Sequence, residues 1–295
     1  MKKILKTILF YPLNLLNFIA IVYTSFAKII YPNLESKWHQ FILERNKKLT
    51  FKINHTNSKK NKITINISTP NITTTTRAKT FSTKEPDTLK WVDSFKPNSV
   101  FLDVGANIGV YSLYAAANQN KIHVYAFEPS FFNLIELIKN INLNKFQNKI
   151  NVIPNPLFSD NKVSTFTQSK PDAGEAHSSF AVDYGDDGKK LAKNSYYSTL
   201  GLNIDFLVIN KLIEFPNYIK IDVDGIEELI LLGAQRTLAN NKCYEVLIES
   251  NKAMKKQSLQ IKKIMTKLGY RLKEISDIGD KRNQNIINQI WAKDI

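Results

Sequence analysis

The segment FLDVGANIG, residues 101–109, constrains this chain more than any other. An apolar run ends in an acid, two glycines bracket a turn, and residues 108–117 follow with helical patterning. A buried strand feeding a helix through a glycine turn is the opening unit of a mostly parallel sheet. Gly105 lets backbone amides approach a ligand with no Cβ in the way, and the N-terminus of the next helix favours an anionic group. Asp103 suits a cationic amino group, Asn107 can hydrogen-bond beside it, and Gly109 completes the turn. Alone, the turn is compatible with a nucleotide, a nicotinamide cofactor, another ligand with a zwitterionic tail, or no ligand.

The chain that follows alternates strand and helix. Strands are expected at 99–104, 123–127, 150–154, 218–222 and 244–249, with a terminal pair at 270–275 and 286–292; 132–143 reads as an amphipathic helix. Residues 168–197, rich in Gly, Asp and Ser, break the pattern and read as a long loop or lid over the carboxyl edge of the sheet, where such folds bind ligands. In YAFEP, residues 125–129, Glu128 ends the second strand about twenty residues after the turn, where a carboxylate bonds ribose hydroxyls. A helix-capping acid before Pro129 is the minor reading, because turn and acid stand at the expected separation. The turn is GANIG rather than the GxGxxG that accommodates a pyrophosphate, which favours S-adenosylmethionine over a dinucleotide.

A third motif, YIKIDVDGIE at 218–227, gathers Lys220, Asp222, Asp224 and Glu227. While the chain stays extended, alternation puts Lys220, Asp222 and Asp224 on one side, so Asp222 is the best-placed general base and Lys220 and Asp224 can orient a substrate. These acids could instead cap the next helix or pair with lysines. His177, in the lid, is the second candidate base because its ordinary pKa suits neutral pH. Glu249, ending the following strand, could orient the acceptor or pair with Lys220. Asn155-Pro156-Leu157-Phe158 resembles the motif of amine methyltransferases but follows the wrong strand, and IDVD stands where that motif belongs.

Composition excludes several classes of site. One cysteine, Cys243, cannot form an internal disulfide, and His39, His55, His123 and His177 are scattered without a paired-ligand pattern, so no metal is expected. A net charge of +15 implies an anionic partner, yet abundant Lys, Asn and Ile can equally reflect base composition. Residues 7–27 carry no charge, follow Lys2, Lys3 and Lys6, and are closed by Lys28. They read as a helix lying on an anionic membrane surface or packed on the domain. A true span is a further reading, as is a signal peptide cleaved after Ser25-Phe26-Ala27. Export would separate a cytosolic cofactor from its enzyme, so the chain is expected in the cytoplasm, attached to the inner face of the membrane through residues 1–30.

Taken in order, KEPDT (84–88), DVGANIGVYSLYAA (103–116), AFEPS (126–130), NINLN (140–144), IKIDVDGIEELILLGA (219–234) and LIES (247–250) resemble the FkbM family of methyltransferases. The resemblance implies a class I Rossmann-like α/β fold: a mostly parallel seven-stranded sheet with helices on both faces and an antiparallel terminal strand. It also implies S-adenosylmethionine as donor and O-methylation of a sugar, glycan or natural-product hydroxyl. By the same resemblance Asp103, Gly105, Asn107 and Glu128 hold the cofactor, with Ser159 and Asp160 near the adenine. Many relatives carry Glu where Asp224 stands. The domains expected are 1–31, an apolar membrane-associated or packed helix; 32–83, an accessory module with a helix at 34–48, strands at 49–53 and 62–67 and a threonine-rich connector at 73–76; and 84–295, the methyltransferase. An RNA methyltransferase shares the fold and the basic charge, but no RNA-binding module or base-amine motif is seen and nucleic acid is not expected as a partner. A non-catalytic membrane-associated module is the third reading.

Overall fold

The computed structural model describes residues 2–27, 29, 32–119, 121–277 and 285–294; Lys28, expected to close the apolar stretch, lies outside them. Two compact units divide between Leu49 and Thr50. The first holds helices Lys2–Ala27 and Leu34–Lys47. Within the longer helix, the 18 residues Phe10–Ala27 are long and apolar enough to cross a membrane, and Phe10, Tyr11, Leu16, Phe18 and Phe26 are exposed.

The second unit carries all the described strands: β1 (Thr50–Thr56), β2 (Lys62–Ser68), β3 (Val100–Val104), β4 (His123–Phe127), β5 (Ile150–Ile153), β6 (Lys162–Gln168), β7 (Ser178–Phe180), β8 (Ser195–Gly201), β9 (Tyr218–Ile221), β10 (Glu245–Asn251), β11 (Tyr270–Asp277) and β12 (Ile286–Lys293). Seven form one sheet in the order β11-β12-β10-β9-β3-β4-β5. The strands from β10 to β5 run parallel, and β12 is antiparallel to both its neighbours. Strand order reverses between β3 and β9, so their carboxyl ends open a crevice where a ligand can enter.

Side chains of β3 alternate between two cores. Phe101 faces helices Pro86–Asp93, Val110–Asn118 and Phe131–Leu143, while Val100, Leu102 and Val104 face Ile204–Ile209, Glu227–Leu232, Gln235–Ala239 and Lys255–Lys267. Burial on both faces explains why VFLDV and YIKI read as nearly continuous apolar runs.

Three expectations are corrected. The hairpin β1–β2 is not part of an accessory module that ends at residue 83. Ile53, Ile63, Ile65 and Ile67 are buried in the same core as Leu113, Leu137 and Ile141, and the division between the two units falls at 49/50. The NINLN segment makes the attachment: Asn140 and Asn144 accept the backbone N–H groups of Ser68 and Asn66 at 2.7 and 2.8 Å, and the Asn144 amide returns a bond to the Asn66 carbonyl. Second, the threonine run is helical, Ile72–Lys79, because Asn71 caps it through the Thr74 N–H in a capping box, and Thr75 and Thr76 donate to carbonyls four residues back. Third, residues 168–197 are not one loop. β6 pairs antiparallel with both β7 and β8, with Phe166 and Phe180 buried, and only the stretches between these strands are irregular.

Candidate active site

The glycine turn is fixed from three sides. Both Gly105 and Ala106 donate backbone N–H groups to the Phe127 carbonyl at 3.0 Å, which locks the exit of β3 to that of β4. Asp222 donates its N–H to the Val104 carbonyl, which locks β3 to the exit of β9. Gly105 has φ +81°, and a Cβ there would sit 1.8 Å from the Asp222 carbonyl oxygen. Gly109, φ +86°, serves packing instead: a Cβ would lie 2.4 Å from Leu137 Cδ1, so its absence lets two helices approach.

A cavity of about 770 Å³ opens over these strand ends. Gly105, Asn107 and Glu128 are among its lining residues. The Glu128 carboxyl accepts the Asn107 N–H at 2.7 Å on one oxygen and the Ser130 N–H at 2.8 Å on the other. Burial pushes its pKa up to about 7 against the pull of these bonds. The Asn107 and Asn133 amides both donate to the Glu175 carbonyl, and Tyr197 donates to the Pro129 carbonyl, so the segment expected as a lid is tied to the turn and to the exit of β4.

Asp222, Asp224, Glu249 and His177 line the same cavity. Lys220, 1% exposed, places its ammonium 2.5 Å from Asp222 Oδ2 and 4.8 Å from the Tyr111 ring centre. Burial would lower the Lys220 pKa, but Asp222, Asp103 and Glu85 outweigh it and hold the ammonium above its ordinary value. The same pair acts in reverse on Asp222. Burial raises its carboxyl, and the Lys220 charge and hydrogen bond more than reverse that, leaving it below the usual range. Glu249 is pushed well above its ordinary value by burial and then by the neighbouring Asp222 charge. Lys220 thus favours the charged form of Asp222, while burial and the Asp222 charge favour the neutral form of Glu249.

Asp224 leaves the extended path, with φ +59°, and accepts the Ser178 N–H at 3.1 Å; burial lifts its pKa to about 6. His177, also at positive φ, lies 3.5 Å through Nδ1 from Asp186. The Asp186 hydrogen bond raises its pKa, with burial opposing.

Seven expected residues thus share one cavity: Gly105, Asn107, Glu128, His177, Asp222, Asp224 and Glu249. Asp103 and Lys220 sit behind the wall. Asp103 Oδ2 accepts Ser112 Oγ at 2.6 Å, and its other oxygen is buried with no partner, so this acid braces the turn from below rather than facing the cavity. Ser159 and Asp160 bond each other at 2.6 Å outside the wall, and Asn155, Pro156 and Leu157 line it instead. Sequence reasoning missed the wall formed by Thr73, Thr76, Arg77, Thr80 and Lys84. Its signal was the KEPDT motif and the threonine run that leads to it.

Among solved structures, a methyltransferase FkbM from Methylobacillus flagellatus is 17% identical, with a TM-score of 0.47, matching 66% of this chain but 44% of its own. The chain therefore spans less than half of that protein's length. A precorrin-6y C5,15-methyltransferase from Geobacter metallireducens is 13% identical, TM-score 0.42, over 71% of this chain and 87% of its own. An Aeropyrum pernix fibrillarin bound to S-adenosyl-L-methionine is 12% identical, TM-score 0.40, over 67% of each chain. No match was found among curated proteins. The profile of the methyltransferase FkbM domain matches residues 103–272, more than half of the sequence, and the chain belongs to this family of S-adenosylmethionine-dependent methyltransferases.

Proposed function

We propose that the chain transfers a methyl group from S-adenosylmethionine to a hydroxyl of a sugar, glycan or natural-product-like acceptor. The residues present fit the donor. Each oxygen of Glu128 accepts one N–H and keeps a lone pair for a ribose hydroxyl, and the Gly105 turn leaves no side chain in the way. When bound, the donor supplies a methyl group on a sulfonium.

The observation that carries the acceptor class is the Asp222–Glu249 pair. Asp222 Oδ2 is engaged by Lys220, which leaves Oδ1 to accept an acceptor hydroxyl's hydrogen bond. Burial and the Asp222 charge favour the neutral form of Glu249, which can donate to a neighbouring oxygen. A depressed pKa makes Asp222 a weak base at rest. It suffices here because the hydroxyl proton becomes strongly acidic as the new C–O bond forms, and the proton passes to Oδ1. His177, paired with Asp186, is the second candidate for that proton. The cavity's many carboxylates favour a hydroxylated acceptor over a polyanion such as RNA.

The test is transfer of a carbon-13 methyl label to carbohydrate and small-molecule fractions, read by NMR. A labelled methoxy carbon supports the reading, and label in RNA bases refutes it.

The apolar stretch Phe10–Ala27 supports a second element of the proposal: attachment of the protein to an anionic membrane surface, with the catalytic unit in the cytoplasm. Deleting residues 1–30 should move the protein from the membrane fraction to the soluble one. Unaltered partitioning would count against attachment, as would digestion of the catalytic unit by protease added outside intact cells.

A further inference from the structure

We infer that Arg77 is the carboxylate-binding residue of this cavity and holds the α-carboxylate of the donor's methionyl tail. The inference rests on reading the cavity as the S-adenosylmethionine site, and it assigns a residue outside the segment 103–272 that defines the family. The wall is acid-rich, with Glu128, Glu175, Asp186, Asp222, Asp224 and Glu249. Such a lining suits the donor's sulfonium, amino group and ribose hydroxyls. It repels the donor's one anionic group, which then needs a cation aimed at it.

Three cations line the cavity: Arg77, Lys84 and Lys170. Lys84 is paired with Glu85 at 3.0 Å. Lys170 stands 3.7 Å from Glu175 with a side chain 63% exposed, which suits a screened surface charge. Arg77 differs from both. Its Nε donates to the Gly174 carbonyl at 2.6 Å, and among the described residues no carboxylate pairs with it. The single anchor fixes the plane of the guanidinium and leaves its terminal N–H groups for the planar, bidentate bonding that a carboxylate accepts.

Arg77 is also tied to the glycine turn. Gly174 donates its N–H to Asn133 Oδ1 at 2.8 Å, and the adjoining Glu175 carbonyl accepts both the Asn133 amide and the Asn107 amide. Two residues of the lid segment thus link the arginine to Asn107, at the start of the helix expected to carry the tail. The capped helix Ile72–Lys79 supplies the rigid support.

An acidic acceptor is the other source of a carboxylate, and titration calorimetry on the full chain distinguishes the two. The probes are S-adenosylhomocysteine, 5′-methylthioadenosine, which lacks the amino-acid tail, and glucuronate added with S-adenosylhomocysteine present. Arg77→Ala should weaken S-adenosylhomocysteine about 10- to 100-fold and leave methylthioadenosine unchanged, with Arg77→Lys recovering part of the loss. Equal losses for both nucleosides would mean that the Gly174 bond only supports the wall, and would overturn the assignment. So would unchanged S-adenosylhomocysteine affinity, whether or not glucuronate binding is lost. If the unsubstituted chain binds neither nucleoside, the cofactor reading itself fails and this inference falls with it.

Discussion

Replacing Gly105 with Ala tests whether the turn is built on backbone contact. The new Cβ would sit 1.8 Å from the carbonyl oxygen of Asp222 and 2.9 Å from its carbonyl carbon, and neither atom is the tip of a flexible side chain. Carbon and oxygen in ordinary contact stand about 3.3 Å apart, so one strand exit must retreat by roughly 1.5 Å. Overpacking of this kind costs about 1–3 kcal/mol. An L-residue at φ +81° adds about 1–2 kcal/mol. The sum is a loss of about 2–5 kcal/mol in stability. Denaturant titration measures it, provided the slope is unchanged. Retreat of the turn also moves the Asp222 backbone, so S-adenosylhomocysteine affinity should fall at least about tenfold, because productive contacts tolerate little displacement. Gly109→Ala is the paired control. It meets the movable Leu137 side chain away from the cavity, so it should lose stability and keep its ligand affinity. A Gly105→Ala protein with native affinity and a stability loss below about 1 kcal/mol would refute the reasoning.

Three further outcomes are expected. Ribose hydroxyls favour the ionised form of Glu128, so binding below its pKa of about 7 must release a proton; affinity should rise by up to about tenfold per unit from pH 5 to 7, then level off. Calorimetry of Glu128→Gln across that range should show no such rise, with affinity at pH 8 weaker by about 1–3 kcal/mol. Asp222→Asn should retain S-adenosylmethionine and lose about two to four orders of magnitude in turnover, whereas a selective collapse in His177→Ala would move the proton acceptor to the lid. Lys220→Met removes the buried cation shared by Asp222, Asp103 and Glu249, and should destabilise the fold by about 3–5 kcal/mol in thermal or denaturant unfolding; wild-type stability would show that the cluster needs no internal cation.

The centre of the fold was legible because its physics is local. Buried parallel strands are apolar runs, and those at β3, β4 and β9 end where glycine, proline or a string of acids interrupts them, so their bounds were read to within a residue. The lid sheet was not legible. β6, KVSTFTQ, is half exposed and polar, and its pairing with β8 joins residues more than twenty positions apart. The threonine helix was hidden for a different reason. Threonine is a poor helix former, and this helix depends on the Asn71 cap and on burial of Thr74 and Ala78.

The site divides the same way. A motif read along the chain shows which acids end strands, but not which side of the turn they serve. Asp103 and Lys220 lie on strands and point into the protein, where they meet Ser112 and Asp222. Asp222 and Asp224 lie just past β9, where positive φ at Asp224 breaks the alternation and turns carboxylates toward the cavity. The interior charges then set the character of the exposed ones. Lys220 favours the charged form of Asp222, and the Asp222 charge in turn favours the neutral form of Glu249, so one buried ammonium bears on the titration of both acids. This ordering makes Lys220 a positioning residue. Changes behind the wall should therefore shift the pH dependence of turnover, while changes in the wall should shift binding.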